Sequence, residues 1–327
     1  MPLIKPFAGL GPAAGRAPDV VAPPYDVVST GEACALAEGR PWSFLHISRP
    51  EIDLPEGTDP YASEVYAKAA ENLARMVDEG VLVRDSRPCY YGYRLTMGDH
   101  VQTGLVAAAS VAAYDGNRIK KHEFTRPVKE DDRVRQIEAL NAQTGPVFLV
   151  YRANRAVDGL LARVAGTGPA VDVTAHDGVR HELWVIDDEP DVRQLGMLFD
   201  AMDALYVADG HHRSAAGSRI GNARRAANPA HSGEESYNYF LSVVFPHDQM
   251  QVLDYNRVVR DLNGLDEAAF LERVSEAFDV VASDVAVKPG QPAEFGMYLD
   301  GRWYRLRFDA GRIPDDPVAS LDVSLLA

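Results

Sequence analysis

The stretch Leu205-Tyr206-Val207-Ala208-Asp209-Gly210-His211-His212-Arg213 runs on into Ser214-Ala215-Ala216-Gly217-Ser218-Arg219. Its first part is a short apolar run rich in strand formers. The run breaks at Asp209-Gly210, and the small residues beyond predict a helix from about Ser214. Strand, tight turn and helix together aim free backbone N–H groups at an anion. Gly210 lets the chain turn sharply and leaves room for a ligand to approach. His211, His212 and Arg213 add donor or cationic side chains at the same turn. We read this as a phosphate-binding loop, served by backbone groups from Gly210 to Ser214. Two other readings compete: an ordinary surface turn, and a metal site with His211 and His212 as ligands. The metal reading is the weakest. Adjacent residues rarely turn both rings to one ion, and no His-x-x-x-His or Cys-x-x-Cys spacing is present. No metal ligand is therefore assigned.

Composition limits what such a loop can serve. A chain of 327 residues can bury a sizeable core and favours two domains over one. Its net charge of -15 argues against general nucleic-acid binding, which needs a basic face. An anionic substrate would need a local basic pocket, for which Arg213, Lys120, Lys121, Arg126 and Lys129 are the candidates. Cys34 and Cys89 form no disulfide framework or metal spacing, which suits a reducing cytoplasm. No secretory h-region follows Lys5 and no apolar run approaches the length of a membrane span, so neither secretion nor membrane insertion is expected.

Upstream, Met1 to Val28 reads as an ordered arm. It contains Val21-Ala22-Pro23-Pro24-Tyr25-Asp26-Val27, in which two prolines fix an extended path. Asp26 is a candidate site carboxylate, with a turn or cap role the stronger reading. Thr30 is expected to cap a helix through Glu38, and Trp42 to Ser48 to form a strand. Asp59-Pro60 predicts a helix from Tyr61 to Glu79, with Val65, Ala69, Leu73, Met76 and Val77 as a core stripe and Gly80 as its stop. Strands are expected at 81–83, 89–96 and from Val101, giving an α+β region over residues 1–115.

The next block holds the other chemical candidates. Ile119-Lys120-Lys121-His122-Glu123-Phe124-Thr125-Arg126-Pro127 precedes an amphipathic helix predicted from about Lys129 to Leu140. Glu123, in a loop among cations, could accept a proton from a hydroxyl as a general base. On the residues alone, a surface ion pair with Lys121 or Arg126 is the stronger reading. A strand at Val147–Tyr151, a helix near 156–164, strands near 170–174 and 181–186, and a helix at 189–202 lead back to the phosphate loop. Such alternation predicts a mixed sheet with a substantial parallel part. Beyond it, Tyr239–Phe245 and Leu253–Val259 are expected to pair as a hairpin. A helix capped by Asp266 and short strands at 295–299 and 303–308 complete the chain. Its apolar end, through Leu325-Leu326-Ala327, reads as a terminus cut short.

Five ordered motifs carry a resemblance. They are the opening Met1-Pro2-x-Ile4-x-Pro6-Phe7-x-Gly9-Leu10, then Ala22-Pro23-Pro24-Tyr25-Asp26-Val27, His122-Glu123, Asp209-Gly210-His211-His212-Arg213 and Asp254-Tyr255-Asn256-Arg257. Together they resemble a widespread bacterial domain-of-unknown-function family, the "ten-fifteen" family, over essentially the whole chain. Position 11 is Gly where that family's opening motif has Arg. The order His-Glu, helix, Asp-Gly-His-His-Arg, helix is also similar to the ParB/sulfiredoxin-like group, which includes nucleotide-binding partition proteins, sulfiredoxin and free-serine kinases.

That second likeness implies an α/β (α+β) fold. A ParB/sulfiredoxin-like core would occupy residues 116–230, between an N-terminal α+β region at 1–115 and a C-terminal α+β extension at 231–327. It implies ATP or ADP with Mg²⁺ as cofactors and a small hydroxyl compound, foremost free L-serine, as phosphoryl acceptor. The turn from Gly210 through His211, His212, Arg213 and Ser214 would hold the phosphates. Glu123, Asp209 and His211 would be the catalytic groups, and His122, Arg126 and Lys129 would face the substrate. A homodimer is compatible with this reading; nucleic acid and membrane are not expected partners. A nucleotide-binding regulatory protein and a phosphatase or nucleotide hydrolase are the alternatives.

Overall fold

A computed structural model describes residues 2–326 of the chain. It divides into two compact units, Met1–Val252 and Leu253–Ala327. The boundaries expected near residues 115 and 230 both fall inside the first unit.

The strands are β1 (Ile4–Lys5), β2 (Leu10–Pro12), β3 (Leu82–Arg84), β4 (Tyr90–Met97), β5 (His100–Ser110), β6 (Ile119–Lys120), β7 (Val147–Tyr151), β8 (Val171–Thr174), β9 (Arg180–Ile186), β10 (Leu205–Asp209), β11 (Tyr239–Pro246), β12 (Phe278–Ser283), β13 (Glu294–Leu299) and β14 (Arg302–Phe308). The first unit is built on a nine-stranded mixed sheet of order β6-β10-β7-β11-β5-β4-β9-β8, with β1 added alongside β5. Among the described residues of this sheet, β6 with β10 and β7 with β11 run parallel, and the other pairings are antiparallel. The parallel share is smaller than the alternation of elements suggested, because β4 and β5 form a hairpin and β8 and β9 form another. The β4–β5 turn contains Gly98 at φ 58°, a left-handed position that glycine occupies without a Cβ penalty.

One face of alternating apolar residues on the sheet, including Leu105, Leu149, Leu205 and Val244, is packed by the Arg155–Ala165 and Glu189–Asp200 helices. Those helices contribute Val157, Leu160, Leu195 and Phe199. Burying a side chain of this kind contributes about 1.5–3 kcal/mol relative to leaving it exposed. The Ser63–Asp78 helix buries Val65, Ala69 and Met76 as its spacing predicted, whereas Val77 lies on the solvent side. The helix begins later than its Asp59-Pro60 signal. Asp59 instead accepts the Tyr61 N–H at 2.9 Å in the turn before it. Ser29, rather than Thr30, caps the Thr30–Ala37 helix, in a reciprocal capping box with Glu32.

Two strand expectations are overturned. Within Trp42–Ser48, residues Leu45–Ser48 form a helical turn. Four residues of apolar sequence do not distinguish strand from buried helix, and tertiary contacts decide: Asn72 donates to the His46 carbonyl at 2.7 Å. The hairpin expected between Tyr239–Phe245 and Leu253–Val259 does not form. Strand β11 already has β7 on one side and β5 on the other, so no edge is free to pair. Residues 251–259 have no regular structure and are exposed.

The second unit contains a three-stranded antiparallel sheet, β12-β14-β13, the Glu267–Ser275 helix and a short helix at Asp322–Leu325. Asp266 caps that helix as expected, accepting the Ala269 N–H at 2.8 Å.

Candidate functional site

Strand β10 ends at Asp209, the chain reverses at Gly210, and the His211–Ala227 helix begins at once. The helix therefore starts three residues earlier than the small-residue run suggested. His211, His212 and Arg213 make up its first turn rather than a loop ahead of it. Gly210 has φ 94°, and a Cβ there would lie 3.2 Å from the Arg213 guanidinium and 3.3 Å from Val147 Cα. Backbone conformation and space both call for glycine. No side chain caps this N-terminus. The first-turn N–H groups of a helix have no intrahelical acceptor and carry the positive end of its dipole. Ser214 stands one position too far along to join them. Its N–H donates to the Gly210 carbonyl at 2.9 Å and its hydroxyl to the His211 carbonyl at 3.0 Å.

Sheet register places the second motif beside the first. β6 lies parallel to β10, with Ile119 opposite Leu205. Both strands therefore leave the sheet at the same end, and the 121–126 loop lies against the Gly210 turn. The rings of His122 and His211 meet edge to face with centroids 4.4 Å apart. The His122 N–H points at His211 Nε2 at 3.5 Å, and the Arg126 N–H donates to His212 Nε2 at 3.0 Å. Potential ligand atoms of His122, Glu123 and His211 lie within 4.8 Å of one another, with His211 buried and the other two exposed.

Of the donor or cationic roles expected at the turn, the His211 ring is biased away from the cationic one. Burial is the main cause that holds His211 below the ordinary histidine range, and the His122 imidazole adds to it. The Glu123 and Asp209 carboxylates act in the opposite direction. His211 and His212 both present Nε2 to a backbone N–H.

The Arg213 guanidinium, expected to help hold the phosphates, is already occupied. It pairs with the Asp209 carboxylate and donates to the Pro146 carbonyl. Asp209, expected among the catalytic groups, thus holds Arg213. Asp26 comes within 4.0 Å of the same guanidinium, so the Pro-Pro-Tyr-Asp segment does reach this neighbourhood. The lysines do not converge on the turn. Lys121 stands 4.1 Å over the Tyr114 ring, Lys120 5.7 Å over Tyr206, and Lys129 5.9 Å over Tyr61. Glu130 and Asp131, near the start of the Pro127–Leu140 helix, bridge to Arg219 at 2.9 and 2.7 Å. They tie the Pro127–Leu140 helix to the helix bearing the site. A small cleft beside Arg213 is lined by Tyr25, Ser48, Arg133, Gln143 and Gly145. Arg133 stacks 4.1 Å over the Tyr25 ring. Nothing in the spacing of Tyr25 and Arg133 announces that pairing.

A family model matches residues 4–324, almost the entire chain. The chain belongs to the DUF1015 family, described as "Protein of unknown function". No curated protein and no solved structure matches it. The motifs singled out in the sequence fall unevenly on the fold. His122-Glu123 and Asp209-Gly210-His211-His212-Arg213 come together at one end of the sheet and Asp26 approaches them. Asp254-Tyr255-Asn256-Arg257 lies in the exposed stretch of the second unit. Chemically, the joined motifs offer an uncapped helix N-terminus for an anion, an exposed carboxylate beside it, and imidazole nitrogens. No helix among the described residues is long and apolar enough to cross a membrane.

Proposed function

We propose that this DUF1015 protein transfers a phosphoryl group from a nucleotide, ATP or ADP, to the hydroxyl of a small molecule, with free L-serine the leading acceptor. The observation that carries the reading is the approach of the Glu123 loop to the uncapped Gly210 turn, across the parallel pair β6 and β10. Phosphoryl transfer depends on positioning and charge neutralisation more than on covalent chemistry. Backbone N–H groups of His211, His212 and Arg213 would hold the terminal phosphates. Arg213, clamped by Asp209 and the Pro146 carbonyl, would shape the turn rather than grip the phosphate. The acceptor oxygen would form its bond to the terminal phosphorus as the bond to the nucleotide's leaving phosphate breaks, and Glu123 would take the hydroxyl proton. His122 and the exposed Arg126 would line the acceptor side, while Lys129, turned toward Tyr61, is left out.

Mg²⁺ brought in on the nucleotide would supply charge neutralisation. It would be held chiefly by the nucleotide's phosphates and by water, which leaves the exposed Glu123 to take the hydroxyl proton. The similarity of the motif order to ParB/sulfiredoxin-like proteins supports the assignment of roles, and two free thiols suit a reducing cytoplasm.

Phosphorus NMR on the protein with ATP or ADP, Mg²⁺ and L-serine tests the reading. A new phosphomonoester signal that requires serine, and falls at least a hundredfold in Glu123→Gln, is the expected result. Nucleotide loss without an ester would make the protein a hydrolase. Binding without turnover would make it a regulatory module.

A further inference from the structure

We infer that His122, Glu123 and His211 form a site for a borderline first-row dication of the zinc or cobalt type, held by the protein without a nucleotide. The inference goes beyond phosphoryl transfer and does not depend on it. Its basis is a donor set that the sequence hides, because 89 residues separate the two histidines. Two imidazoles and one carboxylate are the ligands of borderline metals, whereas Mg²⁺ and Ca²⁺ favour oxygen cages. The ligand atoms lie within 4.8 Å of one another. Around a tetrahedral ion with bonds near 2.0–2.1 Å they would stand roughly 3.3 Å apart. Closing that difference takes small side-chain rotations, and His122 and Glu123 are on the exposed side where they can turn.

His211 is the fixed member, buried in the first turn of a long helix. Its 3.5 Å contact with the His122 N–H is at the outer limit of hydrogen bonding, so exchanging it for a metal bond forfeits little. Neighbouring donors are already committed: His212 Nε2 to the Arg126 N–H, and the Asp209 carboxylate to Arg213. Three protein ligands therefore remain, the number found in metal sites that keep a position for water or substrate. A carboxylate has two oxygens, so Glu123 can give one to the metal and leave the other toward the acceptor side.

The test is titration of the chelator-treated full chain with Co²⁺, followed by visible absorption, and with Zn²⁺, followed by calorimetry. One equivalent is expected, with tetrahedral or five-coordinate cobalt bands, undiminished by Mg²⁺ at a hundredfold excess. His122→Ala and Glu123→Gln, both on the exposed loop, should each weaken binding at least tenfold while the circular dichroism spectrum stays unchanged. Unaltered cobalt binding in both variants, absence of the bands, or equal competition by Mg²⁺ would overturn the inference. Metal binding without phosphoester formation would contradict the proposed transfer alone. Phosphoester formation by a protein that binds no cobalt would contradict the metal site alone.

Discussion

At the scale of single residues, the site is governed by what each polar group is already bonded to. Arg213 and Asp209 look in sequence like a phosphate-holding cation and a catalytic carboxylate, yet they spend their charge on each other. A charge count cannot show such pairing, since every residue type in Asp-Gly-His-His-Arg is chemically able to serve a ligand. Gly210 was legible for a firmer reason. A glycine between a strand-forming run and a helix marks a backbone turn closed to other residues, and its φ of 94° bears this out. Gly210→Ala places a Cβ in the left-handed region and within 3.2 Å of the Arg213 guanidinium. We expect it to cost about 1–2 kcal/mol and to weaken nucleotide binding in parallel. Denaturant melts beside nucleotide titrations check both, and a variant as stable as the parent would contradict the strained-turn account.

Elements with strong periodicity or two-sided signals were readable, while short ones were decided by their neighbours. The Val147–Tyr151 strand, the Arg155–Ala165 helix and the Asp266 cap follow from pattern. The Leu45–Ser48 turn does not, because Phe44, Leu45 and Ile47 suit either conformation and only the Asn72 contact selects one. The start of the His211–Ala227 helix was misplaced for a related reason: glycine can itself be the N-cap, so no Ser or Asp needs to precede the first turn. Further along, this helix lies close against the chain before β11. A Cβ on Gly221 would sit 2.5 Å from the Tyr237 carbonyl oxygen. Alanine there gains roughly 1 kcal/mol of helix propensity but forces a backbone shift of the overpacking kind, about 1–3 kcal/mol or more. The shift should win, so Gly221→Ala lowers the melting temperature. Gly159, exposed in the Arg155–Ala165 helix with nothing near its missing Cβ, gives the opposite sign. Gly159→Ala should stabilise by about 0.5–1 kcal/mol. Equal shifts in the two variants would refute the close-packing argument.

For the whole molecule, the mixed α/β class was legible from alternating patterns, but the sheet's composition was not. Strand order depends on which edges remain open, as β11 shows by taking β5 and β7 and leaving nothing for Leu253–Val259. The same topology creates the site, since the pairing of β6 with β10 is what joins two motifs far apart in sequence. Net charge sets the remaining condition. A chain at -15 repels a nucleotide at long range, and its lysines near the turn are dispersed over aromatic rings. The proposed phosphate binding would therefore lean on backbone N–H groups at one helix end. The most direct test is amide NMR of the isotopically labelled protein titrated with ATP or ADP in Mg²⁺. The account predicts that the largest shifts fall on the His211, His212 and Arg213 amides and, together with them, on His122 and Glu123. Saturable shifts confined to another part of the chain, or none at millimolar nucleotide, would contradict it.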